Sequence, residues 1–328
     1  MPNDIRVSVV TSMFRSSPFL EEFYARTVKA ITAISSSYEM VFVNDGSPDD
    51  SLAVALRLRQ RDPRVRIIDL SRNFGHYRAL MTGLAQARGE LIFLIDCDLE
   101  EEPEWLLRFH EVLRRTGADV IYGVQAERKG GLVEQVSGDL FYALLNRMLA
   151  DPIPRNVLTV RLMTRRYVRA LVQHMDREIC LAGLWVITGF DQRPLEVVKG
   201  SRPGSSYSLR SRVSALVNAV TSFSNRPLIY IFYMGAAVVT ISLLAALVLV
   251  ILALTGRIGV AGYSSLIVSI WFLGGLTLFS VGIVGVYLAK VFTETKNRPY
   301  TIIRAEYGTS EVDEHAGTRA PEAAVLRR

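Results

Sequence analysis

The sequence predicts an α/β domain built on a parallel sheet, followed by two helices that cross a membrane. Three observations carry this expectation. Between Ile5 and Val124, short apolar runs alternate with helical stretches, the pattern of βαβ crossovers. Leu91-Ile92-Phe93-Leu94-Ile95 is apolar without alternation, which marks a strand buried on both faces. Leu228–Leu254 and Tyr263–Ala289 contain no charged residue, and each exceeds the roughly 20 residues that span a bilayer as a helix.

The elements follow in order. Ile5 to Thr11 reads as a first strand, and Ser17-Pro18 opens a helix to about Ser35. Glu39 to Asn44 is a second strand, ending in Asp45-Gly46-Ser47-Pro48-Asp49-Asp50. There Ser47 suits an N-cap and Pro48 the first helical position, with Asp50 completing the cap of a helix to Arg61. Val65 to Leu70 is a third strand, Asn73 to Arg88 a helix, and Leu91 to Ile95 the fourth strand. Pro103 starts a helix to about Arg115, and Asp119 to Val124 forms a fifth strand. Beyond it the spacing predicts a helix over Val133–Leu149, a strand over Val157–Met163, a helix to His174, and strands near Trp185 and Leu195.

The chain has 328 residues and a net charge of +6. Its basic residues gather near the apolar runs, which favours lipid or phosphate contacts over nucleic acid. Arg202, Arg210, Arg212 and Arg226 precede the first run, Lys290, Lys296 and Arg298 follow the second, and only Arg257 lies between them. The positive-inside rule then puts both termini in the cytoplasm. Met1 to Ser12 lacks a basic region followed by an apolar core, so no signal peptide is expected. The expected organisation is a cytoplasmic α/β domain over 1–200, juxtamembrane amphipathic helices over 201–226, two transmembrane helices over 227–292, and a cytoplasmic tail over 293–328. That predicts a multi-pass protein of the cytoplasmic membrane. Gly274, Gly275, Gly282 and Gly285 in the second run permit close helix packing, within the chain or in a homo-oligomer such as a tetramer. Cys97 and Cys180 suggest neither a disulfide framework nor a zinc site.

Polar residues stand at three strand ends: Thr11-Ser12, Asn44-Asp45 and Asp96-Cys97-Asp98. In a parallel sheet these converge on one edge, where ligands bind. Asp45 suits a base or ribose contact, and equally turn and cap chemistry. No G-x-G-x-x-G follows the first strand and no G-x-x-x-x-G-K-[ST] occurs, which argues against NAD and against a P-loop. Phosphates would then be held through a divalent cation on Asp96 and Asp98, although Asp and Glu also favour a helix's first turn. Arg128 and Lys129 after the fifth strand, with Arg161 and Arg202, are candidates for holding an acceptor phosphate. His76, just after Asn73-Phe74-Gly75, would face the site, or else cap the helix or lie at the surface.

Val7-Ser8-Val9-Val10, Val43-Asn44-Asp45-Gly46-Ser47, Arg72-Asn73-Phe74-Gly75 and Asp96-Cys97-Asp98-Leu99 with Pro103 together resemble the family 2 glycosyltransferases of the GT-A fold. The two carboxyl-terminal apolar runs make the chain similar to the polyprenyl-phosphate glycosyltransferases, the group of dolichol-phosphate mannose synthase. The resemblance implies inverting transfer from a nucleoside diphosphate sugar, a UDP-sugar by expectation, to undecaprenyl phosphate. It implies Thr11, Asp45, Asp96 and Cys97 around the nucleotide, and Asp98 and Asp96 on Mg²⁺ or Mn²⁺. Catalysis is expected of Asp98, Glu100 and Arg128.

Three departures stand out. Relatives commonly read Asp-Leu-Gln where this chain has Asp98-Leu99-Glu100, so an extra negative charge sits beside the cation. Relatives often carry Asp where Thr159 stands, two residues before Arg161. The first strand ends in Thr11-Ser12-Met13-Phe14-Arg15 instead of a Pro-x-Tyr-Asn-Glu-like stretch. These substitutions keep two alternatives open: transfer to a hydroxyl of a lipid-linked saccharide, and a non-catalytic nucleotide-binding membrane scaffold.

Overall fold

A computed structural model describes residues 5–125, 156–174, 176, 181–198, 226–254, 263–296 and 298–308. The elements are β1 (Val7–Met13), α1 (Leu20–Thr32), β2 (Tyr38–Asn44), α2 (Ser51–Arg61), β3 (Val65–Leu70), α3 (His76–Gln86), β4 (Leu91–Leu94) and α4 (Trp105–Thr116). There follow β5 (Val120–Gln125), β6 (Val157–Thr164), α5 (Arg165–Leu171), α6 (Leu181–Ile187), β7 (Gln192–Val197), α7 (Arg226–Leu254), α8 (Tyr263–Thr295) and β8 (Ile303–Tyr307). One sheet holds the strands in the order β7-β5-β6-β4-β1-β2-β3-β8.

The central strands are buried along almost their whole length because helices cover both faces of the sheet. Val9, Phe42 and Phe93 face one core, with Phe23 of α1 and Phe109 of α4. Phe23 meets Phe42 edge-on at 6.1 Å, and Phe109 meets Phe93 at 6.2 Å, the offset geometry aromatic quadrupoles prefer. The alternate residues Val10, Val43 and Leu94 face the other core, with Leu80 and Leu84 of α3. Here α3 lies so close that a Cβ on Gly83 would sit 2.6 Å from Val10 Cγ1 and 2.8 Å from Val43 Cγ2. Gly83→Ala is therefore expected to destabilise by about 1–3 kcal/mol, as overpacking does, read as a lower denaturation midpoint with an unchanged m-value.

The chain winds from β1 outward to β2 and β3, then places β4 on the opposite side of β1, all four parallel. Strand order thus reverses between β1 and β4, where open α/β sheets bind ligands beyond the strands' carboxyl ends.

The five strands up to Gln125 run parallel as expected, β5 through its pairing with β6, and two later strands make the sheet mixed. β6 runs antiparallel to β4 and β5, and β8 antiparallel to β3. Apolar periodicity reports strand or helix but not pairing direction. The expected strand near Trp185 is helix α6, which buries Leu181, Leu184 and Trp185 at i, i+3 and i+4. The helix expected from Asn73 starts at His76, because Gly75 at its N-cap has φ +100° and ψ 145°. β8 fits no sequence expectation. It follows the second apolar run and returns to the sheet, where Ser71 N–H donates to Ile302 O at 2.9 Å and the Thr82 and Thr301 hydroxyls lie 2.9 Å apart.

Both charge-free runs are helical, in α7 of 29 residues and α8 of 33. Among the described residues one stretch, Phe272–Thr295, is long and apolar enough to cross a membrane by length and composition. The expected helix over 133–149, the amphipathic segment over 201–225, Arg128, Lys129, Arg202 and the tail beyond Gly308 lie outside the described residues.

Three acids hold the fold at its loops. Burial alone would raise the carboxyl pKa of Asp49, Asp62 and Asp119, but hydrogen bonds reverse it. The donors are Ser47, Ser51 and Ser17 for Asp49, Arg64 for Asp62, and Arg166 and Thr164 for Asp119. A depressed folded pKa contributes stability that is full above the unfolded value of about 3.9 and is lost as pH falls from there through the folded value. Thermal midpoints are expected to hold from pH 7 to about pH 5 and to drop on further acidification, while an Asp49→Asn variant drops less steeply.

Candidate active site

At the switch point the carboxyl ends of β1, β2 and β4 open into a cleft of about 250 Å³. Its walls carry Ser12, Phe14 and Ser16 after β1, Asp45 after β2, Asn73, Gly75 and His76 before α3, and Asp96, Cys97 and Asp98 after β4. Three of the strand-end acids expected to meet do so here.

Asp45 is 2% exposed, and both its oxygens accept backbone donors: Phe74 N–H at 2.7 Å and Gly75 N–H at 3.0 Å. It thereby clamps the loop ahead of α3 onto the end of β2. Burial raises its carboxyl pKa, with the two amides pulling the other way. Gly46 next to it has φ +60°, and a Cβ there would lie 2.5 Å from Arg72 C and Asn73 N. The approach of the two loops requires glycine.

The other wall is stapled by side chains. Arg15 N–H donates to Ser47 Oγ at 2.7 Å, Ser16 N–H to Ser51 Oγ at 2.9 Å, and Ser17 N–H to Asp49 Oδ2 at 3.1 Å. Asp49 Oδ1 also accepts from the Ser47 and Ser51 hydroxyls and from Ser51 N–H. Asp49, and not Ser47, therefore satisfies the start of α2, which begins three residues later than Pro48 suggested. The staple leaves Phe14 on the rim, 44% exposed, with the Arg15 guanidinium over its ring.

After β4 the chain turns sharply. Asp98 Oδ1 accepts Glu100 N–H at 3.0 Å across Leu99, which has φ +62°. A non-glycine residue in that region costs on the order of 1 kcal/mol, and such strain gathers at functional sites. Glu101, 1% exposed, anchors the turn: it accepts Asp96 N–H and, from β6, Val160 N–H, both at 3.3 Å. His76 bridges the cleft, with Nδ1 2.8 Å from Ser12 Oγ and Nε2 3.4 Å from Asp96 Oδ1. Its side chain lines the cleft while 43% exposed, so it is both site-facing and at the surface, and it does not cap α3.

Of the remaining expected residues, Cys97 lies in the cleft wall with its sulfur buried, and Thr11, Glu100 and Arg161 do not line the cleft. Thr11 is 1% exposed and does not line the cleft, because neighbouring strand residues point to opposite faces and Ser12 takes the cleft side. Cys97 is 3% exposed and donates to Ser12 O at 3.1 Å. Burial pushes its thiol pKa up to about 11, so it braces two strands and is no thiolate ligand. Glu100 supports Asp98 through its backbone, and its side chain does not line the cleft. Arg161 lies 1% exposed beside the Trp185 ring and donates to Thr159 O and Leu158 O. Burial drags its pKa down to about 9. It is a core residue of β6 and not part of the cleft wall.

Sequence reasoning missed Phe14, Ser16, Asn73 and Glu101. Phe14 and Ser16 lie just past the first strand's end and Asn73 in a quoted motif, so proximity to those ends was the available signal. Nothing local distinguished Glu101 from its acidic neighbours.

The cleft offers carboxylate and hydroxyl oxygens, the donors hard divalent cations take. Among the described residues no three His, Cys, Asp or Glu side chains are grouped to hold a metal ion. A cation here would draw the rest of its shell from water and ligand phosphates, as Mg²⁺ does. On donor chemistry the residues fit.

The glycosyl transferase family 2 model matches residues 8–172. A Mycobacterium tuberculosis (strain CDC 1551 / Oshkosh) protein named "Putative glycosyltransferases" is 52% identical over 305 residues, 93% of this chain and 89% of that one. The SfII prophage-derived bactoprenol glucosyl transferase of Shigella flexneri is 31% identical over 307 residues, 92% of this chain and 99% of that one. Among solved structures, the mannosyltransferase PcManGT from Pyrobaculum calidifontis, in complex with GDP-Man and Mn²⁺, matches with TM-score 0.48 and 16% identity, covering 90% of this chain and 88% of that one.

Proposed function

The chain belongs to glycosyl transferase family 2, and from that premise we propose that it moves a sugar from a nucleoside diphosphate sugar to a polyprenyl phosphate at the cytoplasmic membrane face. The observation that carries the reading is the convergence of Asp45, Asp96 and Asp98 in one cleft at the switch point of the sheet. Support for the acceptor comes from the bactoprenol glucosyl transferase relative, which matches over nearly its whole length.

In this reading the donor lies across the ends of β1 and β4. Phe14 offers an exposed aromatic face for the base. Asp45 holds the loop carrying Asn73 and Gly75 in place against it. Asp96 and Asp98 would hold Mg²⁺ or Mn²⁺, and when bound the ion supplies neutralisation of the leaving diphosphate. His76, hydrogen-bonded to Ser12, sets its Nε2 3.4 Å from Asp96 Oδ1 at the edge of this cation site. A phosphate oxygen of the acceptor forms the new bond to the anomeric carbon as the bond to the diphosphate oxygen breaks, inverting the configuration. That oxygen is already anionic near neutral pH, since the second phosphate pKa is about 6. The absence of a carboxylate at Thr159 is then no obstacle. Catalysis rests on positioning and charge stabilisation.

Two spans are part of the proposal. α7 and α8 of 29 and 33 residues measure about 44 and 50 Å at 1.5 Å per residue, longer than the roughly 30 Å hydrocarbon core.

A thermal-shift panel tests the donor assignment. UDP, GDP, dTDP and CMP would each be added to the full chain with and without Mn²⁺. One nucleoside diphosphate is expected to raise the midpoint more with the ion than without, by mass action on the folded state. Equal response to all four, or none, would count against a donor cleft.

A further inference from the structure

We propose that β8, the strand that follows the second long helix, is a strut for the cleft, and that Arg304 is its positioning residue. The inference rests on the proposed function only for one of its two readouts.

Four hydrogen-bonded links connect β8 to the cleft wall. Asp69↔Ala305 and Leu70↔Ile303 are paired, so the register shifts and Arg304 falls in a bulge. Bulges re-aim side chains beside sites, and this one directs the Arg304 guanidinium onto Asp69 Oδ2, with Nε and Nη2 each at 2.7 Å. Asp69 is 2% exposed, and its other oxygen accepts Asn44 Nδ2 at 2.7 Å. Asn44, 1% exposed, accepts Ser47 N–H through Oδ1 at 3.2 Å. Ser47 Oγ accepts Arg15 N–H, next to Phe14 on the rim. The line thus runs Arg304–Asp69–Asn44–Ser47–Arg15.

A second route is shorter. Ser71 bonds Ile302 of the return segment, and the next residues, Arg72 to Gly75, form the loop that Asp45 clamps. Thr301 meets Thr82 on α3, the helix that begins with His76. Tyr300 and Ile303 pack against the core under α3. Both cleft walls facing β2 and α3 are therefore braced by a segment only a few residues from the end of α8 at Thr295.

The Arg304 side chain is 56% exposed, and an exposed ion pair contributes little to global stability. Its loss nonetheless removes the charged partner of a buried carboxylate that orients Asn44. The effect is local to the donor loops.

The test uses the full chain in lipid nanodiscs, with Arg304→Ala, Arg304→Lys and, as control, Arg193→Ala. Arg193 is paired with Asp191 at the far edge of the sheet. Hydrogen exchange is expected to speed up about five-fold or more in Arg304→Ala for peptides covering 44–47 and 72–75, with β1 and β4 unchanged. Arg304→Lys should restore part of the protection and Arg193→Ala should match wild type. With the donor identified, KM for nucleotide sugar is expected to rise about five-fold with kcat within twofold and acceptor KM unchanged. Wild-type exchange in both loops overturns the proposal. So does acceleration spread uniformly over every strand with a lowered midpoint, which marks a merely structural role. If no nucleotide sugar is turned over, the family-based reading fails while the exchange pattern still decides the strut.

Discussion

Asp98→Asn is expected to lower kcat by about 10³-fold, the cost of removing one group aimed at charge developing in the transition state. The substitution separates chemistry from folding. Asp98 Oδ1 holds Glu100 N–H across the strained Leu99, and an asparagine carbonyl can accept the same bond. The turn should therefore persist, with a thermal midpoint near wild type. What disappears is a negative charge at the wall of the cleft. Asp98→Ala loses both, so it should be equally inactive and measurably less stable. An Asn variant that kept a tenth of wild-type turnover would remove Asp98 from the centre of the mechanism.

Asp45→Ala is expected to abolish donor binding and to cost about 3 kcal/mol or more. Two part-buried amides, Phe74 N–H and Gly75 N–H, lose their acceptor, at about 1–3 kcal/mol for each buried group left unmade. The loop carrying Asn73 and His76 would then leave the end of β2. Asp45→Asn keeps one good acceptor and should fall between. Its pH dependence has a definite sign. Burial raises the Asp45 pKa, so the wild-type residue contributes most below its unfolded pKa of about 3.9 and less as pH rises through the folded value. The deficit of Asp45→Asn relative to wild type should hence be smaller at pH 7 than at pH 4. Denaturation midpoints of the two proteins across that range check it.

Much of this was legible in the chain because the physics involved is local. Strands covered on both faces must be largely apolar, and Val9–Val10, Met40–Val43 and Ile92–Leu94 are. A parallel order then forces the strand-end acids Asp45, Asp96 and Asp98 to one edge. What stayed hidden depends on contacts remote in sequence. β8 pairs with β3 across more than two hundred residues, and five residues with two charges carry no strand signal of their own. Arg161 has the composition of a phosphate ligand, yet its position in β6 beside β4 turns it into the core against Trp185. Cys97 sits between two acids, but the turn after β4 buries its sulfur against Ser12 O. His76 and Glu101 became meaningful only when the fold brought Ser12 and Val160 to them.

The most direct test gives the purified full chain Mg²⁺ or Mn²⁺, undecaprenyl phosphate and a panel of UDP-, GDP- and dTDP-sugars, and follows both donor consumption and the lipid product by mass spectrometry. The account predicts that one nucleotide sugar is consumed and that its sugar appears on the lipid as a phosphodiester, released by mild acid. Consumption of no donor by wild type, or an acid-stable glycoside as product, would contradict it.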